Sequence, residues 1–358
     1  MCSSSRRSAR SRGVHSAAAM RGRGGGRRPG LCLARGRRAP RAQGAGLRAF
    51  ARCRNVGGPA GGRRVRAAGE RDAQRRDVVP ELPEAETIRR QLEEEVVGAR
   101  LQRLTIHVGR VAREQGSEAE LRALTEGRSI EGVGRRGKAV LLFLDGRQPV
   151  TLIIRLGMTG LVRLVDRREP QDKATAATLE LNDGRDLRFL DQRQFGSLTA
   201  RPGHDPDAMP EFSHYGPEPF SEEFDLEYLK SALARRTAKL GVVLMDQQFV
   251  AGIGKIYSDE ILFQAGLRPG RSAKSLTGPM RERLWRAIRE VLAKGIERHG
   301  SSARDETFRD IRGVPGRFQE CFYVYQRTGE PCRVCGTPIR RTPLPGGRGM
   351  HWCPTCQK

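Results

Sequence analysis

Four cysteines near the C-terminus constrain the fold of this chain more than any other feature. They form two C-x-x-C pairs, Cys332 with Cys335 and Cys353 with Cys356, and 17 residues separate the pairs. Four thiolates at this spacing converge tetrahedrally on one zinc ion, with a hairpin between the two pairs. Because four protein ligands leave no open coordination position, we expect one structural Zn²⁺ in a C-terminal zinc ribbon rather than a catalytic metal.

The segment 80–200 is one predicted helix followed by short apolar runs. Pro83 suits the first position of a helix, and apolar residues recur at helical spacing from Leu82 to Val96, with Gly98 as a stop. Seven runs then alternate with Gly, Asp and Arg: 101–108, 129–133, 139–144, 150–154, 161–165, 178–181 and 186–190. This spacing predicts an antiparallel sandwich or barrel.

A Pro- and Gly-rich stretch after residue 200 predicts an interdomain linker. Beyond it, apolar residues recur with a helical period in four segments: 221–234, 242–250, 255–265 and 279–298. Gly252 and Gly254 permit a tight turn that directs the first amides of the next helix outward, as a site for a phosphate. We therefore divide the chain into a β-rich domain (80–200), a linker (201–222), a helical domain (223–316) and the zinc ribbon (317–358).

Residues 1–79 have a composition of their own, with 21 Arg, no Lys and a net charge of +18 out of the +25 of the whole chain. Arg, Gly, Ala and Ser without aliphatic periodicity cannot offset the entropy of ordering, so we expect disorder. Three interpretations compete: an organellar transit peptide, a basic nucleic-acid-binding arm, or translated upstream sequence with Val79 as a GUG initiator. We favour the third, because GC-rich DNA in an arbitrary frame encodes Arg without Lys.

The charge of the remaining chain bears on its partners. Residues 80–358 carry a net +7, which favours a polyanionic partner, since phosphate contacts by Lys and Arg supply most non-specific nucleic-acid affinity. No run of 18 or more apolar residues occurs, so we expect no membrane-spanning helix and no membrane partner.

Several motifs follow one another in a fixed order through residues 80–358. They are Val79-Pro80-Glu81-Leu82-Pro83-Glu84, Gly134-Arg135-Arg136-Gly137-Lys138, Leu156-Gly157-Met158-Thr159-Gly160, Asp191-Gln192-Arg193-Gln194-Phe195-Gly196 and Gly252-Ile253-Gly254-Lys255-Ile256-Tyr257. Together with the cysteines they resemble the formamidopyrimidine-DNA glycosylases, base-excision repair enzymes whose chain begins at the proline. The resemblance implies an α+β protein, with a β-sandwich flanked by helices, a helix-two-turns-helix domain and a zinc ribbon.

The resemblance also implies a chemistry. Pro80, as a free N-terminal amine, would displace an oxidised purine such as 8-oxoguanine or a formamidopyrimidine, and β,δ-elimination would follow. Glu81 would transfer protons, Lys138 would hold the lesion phosphate, and Glu84 would complete the catalytic set. An α-amine, with a pKa of about 8, is better suited to this attack near neutral pH than a lysine at about 10.4.

The implied partner is double-stranded DNA with oxidised bases or abasic sites, bound by a monomer. Met158, Arg193 and Phe195 would fill the gap that an extruded base leaves in the duplex. The full set of implied DNA-binding residues is Arg155, Met158, Arg193, Phe195, Lys255, Tyr257 and Arg348. The zinc would take no part in bond breaking.

Four positions depart from the family pattern. Arg155 replaces a histidine, Lys255 an asparagine, Gly241 a lysine and Gln194 an arginine. The resemblance implies that the first three of these positions contact phosphates. Two of the three gain a full positive charge. We therefore expect DNA affinity to be kept and to depend more steeply on salt.

Two alternatives to an oxidised-purine glycosylase remain. The chain is a non-catalytic binder of damaged DNA if Val79 stays bonded to Pro80, because an acylated proline nitrogen cannot attack. A specificity for oxidised pyrimidines, as in endonuclease VIII, is the nearer alternative. The compartment is the cytoplasm and nucleoid of a bacterium, or an organelle if residues 1–79 are a transit peptide.

Overall fold

The computed structural model of the chain describes residues 80–302, 308–344 and 349–358. The disorder predicted for residues 1–79 and the DNA contact predicted for Arg348 lie outside the described residues. The helices are α1 (Leu82–Val96), α2 (Glu118–Thr125), α3 (Leu226–Ala234), α4 (Leu240–Val243), α5 (Lys255–Ala265) and α6 (Gly278–Glu297). The strands are β1 (Leu101–Ile106), β2 (Ile130–Arg136), β3 (Ala139–Leu144), β4 (Val150–Arg155), β5 (Gly160–Asp166), β6 (Thr175–Leu181), β7 (Arg185–Asp191), β8 (Ser197–Pro202), β9 (Arg340–Pro343) and β10 (Gly349–Trp352).

Strands β1 to β8 form two antiparallel sheets, ordered β1-β6-β7-β5 and β2-β3-β4-β8. The sheets share one apolar core, to which Leu142 and Ile154 contribute from one sheet and Leu179 and Phe189 from the other. Helix α1 adds Ile88 to the same core. The predicted α+β class with an antiparallel sandwich is therefore confirmed.

The sheet that carries β3 and β4 is buried on both faces. Its inner face belongs to the sandwich core, and on the other face Leu141 and Ile153 pack against Met209 and Phe212. A strand buried on both faces has a continuous apolar sequence rather than an alternating one. This burial explains the uninterrupted apolar run of β3.

Helices α3 to α6 surround a second apolar core, which also contains Leu82 from the start of α1. Helix α1 therefore packs against both cores. Within this second core α5 is the central element, because ten of its eleven residues are buried. A helix buried on nearly every side shows no clear apolar stripe, and its charged residues need partners inside the protein.

The helix predicted over 242–250 is much shorter in the structure, where α4 ends at Val243. Two side chains in the predicted helix bond to the backbone of the following loop instead. Gln247 accepts from the Gly252 amide at 2.8 Å and donates to the Ile253 carbonyl at 2.9 Å, and Asp246 accepts from the Gln248 amide at 3.0 Å. Such local bonds compete with helix formation, and the loop here also has Gly252 at its centre.

The sequence did not predict α2 and β8, because each has a weak apolar pattern. Helix α2 buries only Leu121 and Thr125, and Ser117 caps it by accepting a hydrogen bond from the Glu120 amide at 3.1 Å. Strand β8 consists mainly of small and polar residues, and it pairs with β4 along its whole length. Its last residues, up to Pro202, extend into the predicted linker.

Beyond α6 the chain joins the zinc hairpin, by which we mean the antiparallel strands β9 and β10. A carboxylate within α5 holds the segment that leads to it. Glu260 is buried and accepts hydrogen bonds from the amides of Tyr323 (2.9 Å), Val324 (3.0 Å) and Tyr325 (2.8 Å). No helix in the described ranges is long and apolar enough to cross a membrane.

We expect Glu260→Gln to lower the free energy of unfolding by about 1–3 kcal/mol, because the amide group can accept with one atom only and leaves a buried amide unpaired. The measurement is urea denaturation of the zinc-loaded protein. Glu227→Gln is the matched control, since the Glu227 side chain is 77% exposed. Equal stability of the two variants would contradict a role for Glu260 in holding the ribbon segment.

Candidate active site and metal centre

The candidate site lies where the start of α1 meets the start of α5. The Glu81 carboxylate accepts hydrogen bonds from the amides of Gly254 (2.6 Å), Ile256 (2.7 Å) and Tyr257 (3.4 Å). Amides in the first turn of a helix have no partner within the helix, and the helix dipole favours an anion beside them. Glu81 therefore occupies the amides that the sequence led us to expect for a phosphate.

Two glycines allow this close approach. Gly252 has a positive φ of +89°, and its carbonyl accepts the Leu82 amide at 3.0 Å. A Cβ at Gly254 would lie 2.5 Å from the Glu81 Cδ and 2.6 Å from the Lys138 Nζ. The two predicted catalytic side chains, which are 57 positions apart in sequence, therefore meet beside Gly254.

The turn between β2 and β3 carries Lys138 to this point. Within the turn, the Gly137 amide donates to Glu218 Oε1 at 2.7 Å, and the Gly137 carbonyl accepts from Arg135 Nη1 at 2.8 Å. Arg135 also donates from Nε to Glu86 Oε2 of α1 at 3.0 Å. Carboxylates from α1 and from the segment after the sandwich thus hold the backbone on which Lys138 is mounted.

The electrostatics of Glu81 suit proton transfer. Burial raises its pKa from an ordinary 4.5 to about 7, and the negative charge of Glu84 adds to the rise. The nearby Lys138 cation and the amides of Ile256 and Gly254 act in the opposite direction. A carboxyl group with a pKa near neutrality can both donate and accept a proton under ordinary conditions.

Glu84 holds the backbone of Glu81 in place. Its carboxylate accepts hydrogen bonds from the Glu81 amide at 2.9 Å, the Tyr257 hydroxyl at 2.8 Å and the Ser301 amide at 2.6 Å. Burial raises the pKa of Glu84, and it raises the pKa of Tyr257 well above 10. Tyr257 is fully buried and stacks on Phe318, so the structure places it inside the protein rather than on a surface.

Pro80 is buried at the entrance to α1, next to Glu81. In the chain as written its nitrogen belongs to the peptide bond with Val79. A tertiary amide nitrogen has no proton and no free lone pair for attack on a carbon. The candidate nucleophile is therefore next to Glu81, the candidate proton-transfer residue, and its reactivity depends on that bond.

The two turns predicted to fill the gap in DNA lie side by side. The Thr159 hydroxyl of one turn donates to Asp191 Oδ1 of the other at 2.6 Å. The Arg193 guanidinium lies 5.2 Å from the centroid of the Phe195 ring, and 43% of Phe195 is exposed. Met158 is half-buried in the first turn. An exposed aromatic ring, a planar cation and a methionine thus share one edge of the sandwich.

The three departures from the family pattern that concern phosphate contacts have distinct surroundings. Arg155, at the end of β4, lies 5.5 Å from the Phe212 ring and donates to the Glu211 carbonyl at 3.3 Å. Lys255, at the start of α5, is buried and paired with a carboxylate. Gly241 lies in α4 and packs closely against side chains of the zinc ribbon.

The four predicted metal ligands converge. The Sγ atoms of Cys332, Cys335, Cys353 and Cys356 all lie within 4.8 Å of one another. Two of the distances are 3.9 Å, between Cys332 and Cys356, and 3.4 Å, between Cys335 and Cys353. Zinc–sulfur bonds of about 2.3 Å in a tetrahedron place the sulfur atoms about 3.8 Å apart. The cluster therefore fits one structural zinc ion.

The sequence did not reveal four residues that organise the site. Ser301 binds Glu84, Glu260 binds the ribbon segment, and Asp259 and His351 bond to each other at 2.7 Å. The adjacent acids Asp259 and Glu260 in a helix with many apolar residues were an available signal, because buried carboxylates need partners. The identity of those partners required the tertiary structure.

Three family models match the chain in order. They describe the formamidopyrimidine-DNA glycosylase N-terminal domain (residues 79–198), the formamidopyrimidine-DNA glycosylase H2TH domain (residues 215–307) and a zinc finger found in FPG and IleRS (residues 329–358). The match of the last model to the four-cysteine cluster confirms the predicted structural zinc.

Curated relatives cover the same part of the chain. The formamidopyrimidine-DNA glycosylase of Heliobacterium modesticaldum is 42% identical over 283 residues, which are 78% of this chain and 100% of the relative. The structure is similar to that of the MutM (Fpg) protein of Thermus thermophilus, with 42% identity, a TM-score of 0.70 and coverage of 78% and 98% of the two chains.

A complex of the Lactococcus lactis Fpg with DNA that contains an abasic site is also similar. It has 33% identity and a TM-score of 0.71, and the match covers 78% of this chain and 99% of that one. The family models, the full-length coverage of the relatives and the shared fold agree with the resemblance seen in the motifs. This chain belongs to the formamidopyrimidine-DNA glycosylase family.

Proposed function

We propose that the chain removes oxidised purines from double-stranded DNA and then cleaves the strand as an AP lyase. The observation that carries the proposal is the meeting of Glu81, the residue after Pro80, with Lys138 at the start of α5. Solved complexes of the Lactococcus lactis relative contain an abasic site or a Fapy-dG lesion, which supports both activities. The partner is therefore lesion-bearing duplex DNA.

In the proposed reaction the Pro80 nitrogen, once it is a free amine, attacks C1′ of the damaged nucleotide. The new N–C1′ bond forms as the bond to the base breaks, and opening of the sugar ring gives an iminium ion. Loss of the 3′ and then the 5′ phosphate follows by β,δ-elimination, and water releases the enzyme. Glu81 moves the protons that these steps require, and Lys138 holds the lesion phosphate.

The remaining residues have supporting roles in this proposal. Glu84 holds the Glu81 backbone, and Tyr257 and Ser301 hold Glu84. Met158, Arg193 and Phe195 enter the gap left by the extruded base, while Arg155 and Arg348 approach phosphates. For Lys255 the surroundings favour another role, because its charge is paired inside the protein.

The domain layout and the working form are also part of the proposal. We propose the division into 80–200, 201–222, 223–316 and 317–358. Its order is supported by the three family models, which match residues 79–198, 215–307 and 329–358. We propose that the active form is a monomer that begins at Pro80, and that it acts where the cell keeps its DNA. That compartment is the nucleoid of a bacterium, or an organelle if residues 1–79 are a transit peptide.

Borohydride trapping on a duplex with 8-oxoguanine tests the nucleophile. We expect a protein that begins at Pro80 to form a covalent complex, and peptide mass mapping to place the cross-link on the Pro80 nitrogen. The full chain is the matched control, and we expect no cross-link from it because Val79 acylates the proline. A cross-link on another residue would refute the assignment of Pro80. Tight lesion binding without any cross-link from the Pro80 form would favour the non-catalytic binder.

The pH dependence of base excision tests Glu81. If Glu81 donates a proton, the single-turnover rate must fall as pH rises through about 7, because the carboxyl group loses its proton there. We expect Glu81→Gln to slow excision by about 10²–10⁴-fold and to remove this decline. A decline near pH 7 that persists in the variant would assign the titration to another group.

Substitution of the glycine between the two catalytic side chains tests their meeting point. Gly254→Ala places a methyl group within 2.7 Å of both Glu81 and Lys138. The Glu81 side chain cannot move away without breaking its hydrogen bonds to the backbone amides. We expect excision to slow by at least about 10²-fold, as for loss of positioned proton transfer, with an unchanged circular dichroism spectrum. Gly270→Ala is the control, since a Cβ there meets nothing within 4 Å. Equal rates of the two variants would contradict the proposed geometry.

A further inference from the structure

We propose that Lys255 is a positioning residue that holds the zinc hairpin against α5, and that it does not contact a DNA phosphate. It acts through a buried cluster formed by Lys255, Asp259 and His351. Only the part of the inference that is tested by DNA binding rests on the proposed function. The structural part concerns the described residues of α5 and of the hairpin.

The cluster joins the first two turns of α5 to strand β10. Lys255 Nζ forms an ion pair with Asp259 Oδ2, and the two side chains are 7% and 0% exposed. The same oxygen accepts the His351 backbone amide at 3.1 Å and lies 2.7 Å from His351 Nδ1. Because an ionised carboxylate only accepts, His351 donates from Nδ1. One carboxylate oxygen therefore binds both α5 and the hairpin.

The position of Lys255 in α5 makes its partner necessary. A cation at the first residue of a helix opposes the helix dipole, and burial adds a desolvation cost. Asp259, one turn later, offsets both effects, and the ring of Tyr325 faces Lys255 Nζ at 5.0 Å from its centroid. A lysine charge that is neutralised and enclosed in this way is not available to a phosphate.

Gly241 also lies at a contact between the helices and the zinc hairpin. A Cβ at this position would lie 2.9 Å from Leu344 Cδ1 and 3.0 Å from Met350 Cε. Leu344 follows β9 and Met350 lies in β10, so a lysine here would displace the hairpin. Two positions that the resemblance assigns to phosphate contacts, 241 and 255, therefore form the joint between the helices and the zinc hairpin.

The joint has a consequence for DNA binding. The expected steeper salt dependence rested on the positive charges gained at Arg155 and Lys255. Gly241 adds no charge, and the charge of Lys255 is paired with Asp259 inside the protein. The contribution of these positions to affinity is instead the fixed placement of the hairpin relative to α5.

Hydrogen exchange of the full-length, zinc-loaded protein tests the structural part. We expect Lys255→Met and Asp259→Asn each to make the amides of β9 and β10 exchange at least about tenfold faster, since each leaves a buried charge unpaired. The double variant has no unpaired charge and keeps an acceptor for His351, so we expect its protection to return close to wild type. Lys294→Met is the matched control, because it breaks an exposed Lys–Glu pair in α6.

Three results would overturn this part. They are unchanged hairpin exchange in both single variants, no recovery in the double variant, and an equal acceleration throughout the sandwich strands β1 to β8. The last result would mean that Lys255 supports the whole fold rather than the hairpin. None of these readouts depends on cleavage, so a failure to trap Pro80 would leave the inference standing.

A salt titration of binding to a duplex with an abasic-site analogue tests the second part. Loss of a phosphate contact changes the slope of log affinity against log salt by about 0.9. We expect Lys255→Met to weaken binding at every salt concentration, to leave that slope unchanged, and to regain affinity with Asp259→Asn. Full-length proteins are compared throughout, so the contribution of residues 1–79 cancels. A slope shallower by about 0.9 would make Lys255 a phosphate contact and refute the proposal.

Discussion

The placement of the Glu81 carboxylate on the first amides of α5 is the interaction on which the rest of the structure depends. It joins the segment that carries Pro80 to the central helix of the second core. A buried carboxylate is costly without partners, and here it has backbone donors, a helix dipole and the Lys138 cation. The competition between burial and these partners gives Glu81 a pKa of about 7. The contact that assembles the site is thus also one that shifts the pKa of Glu81.

The charged residues along helix α5 are also buried and have partners inside the protein. Its core position excludes water, so each of its charged residues is matched within the protein: Lys255 with Asp259, Asp259 with His351, and Glu260 with the amides of 323–325. Glu81 binds the start of the helix, and the ribbon segment and the hairpin bind its middle. The sandwich, the helical core and the zinc ribbon therefore take their positions from one element.

Some elements were predictable because local signals and packing agree. The boundaries of α5 match the predicted segment 255–265, and the apolar runs of β3 and β4 became central strands of a sheet covered on both faces. Helix α2 and strand β8 were not predicted, since α2 buries only Leu121 and Thr125, and β8 consists mainly of small and polar residues and is held by its pairing with β4. Helix α4 ended early because Asp246 and Gln247 bond to a neighbouring loop, and a periodic pattern does not show such bonds.

The sequence by itself determined the zinc ligands, the order of the motifs, and the identity of Pro80, Glu81 and Lys138 as the candidate catalytic residues. The zinc ligands depend on residue type and spacing, which a chain carries before it folds. The three catalytic candidates follow from the resemblance of the motifs to a known family. Only the tertiary structure decided that Glu81 occupies the amides of α5, that Tyr257 lies behind the site, and that Lys255 is enclosed with Asp259 and His351. The physical reason is that the role of a charged side chain depends on its solvation and its partners. Segments that are distant in sequence supply both.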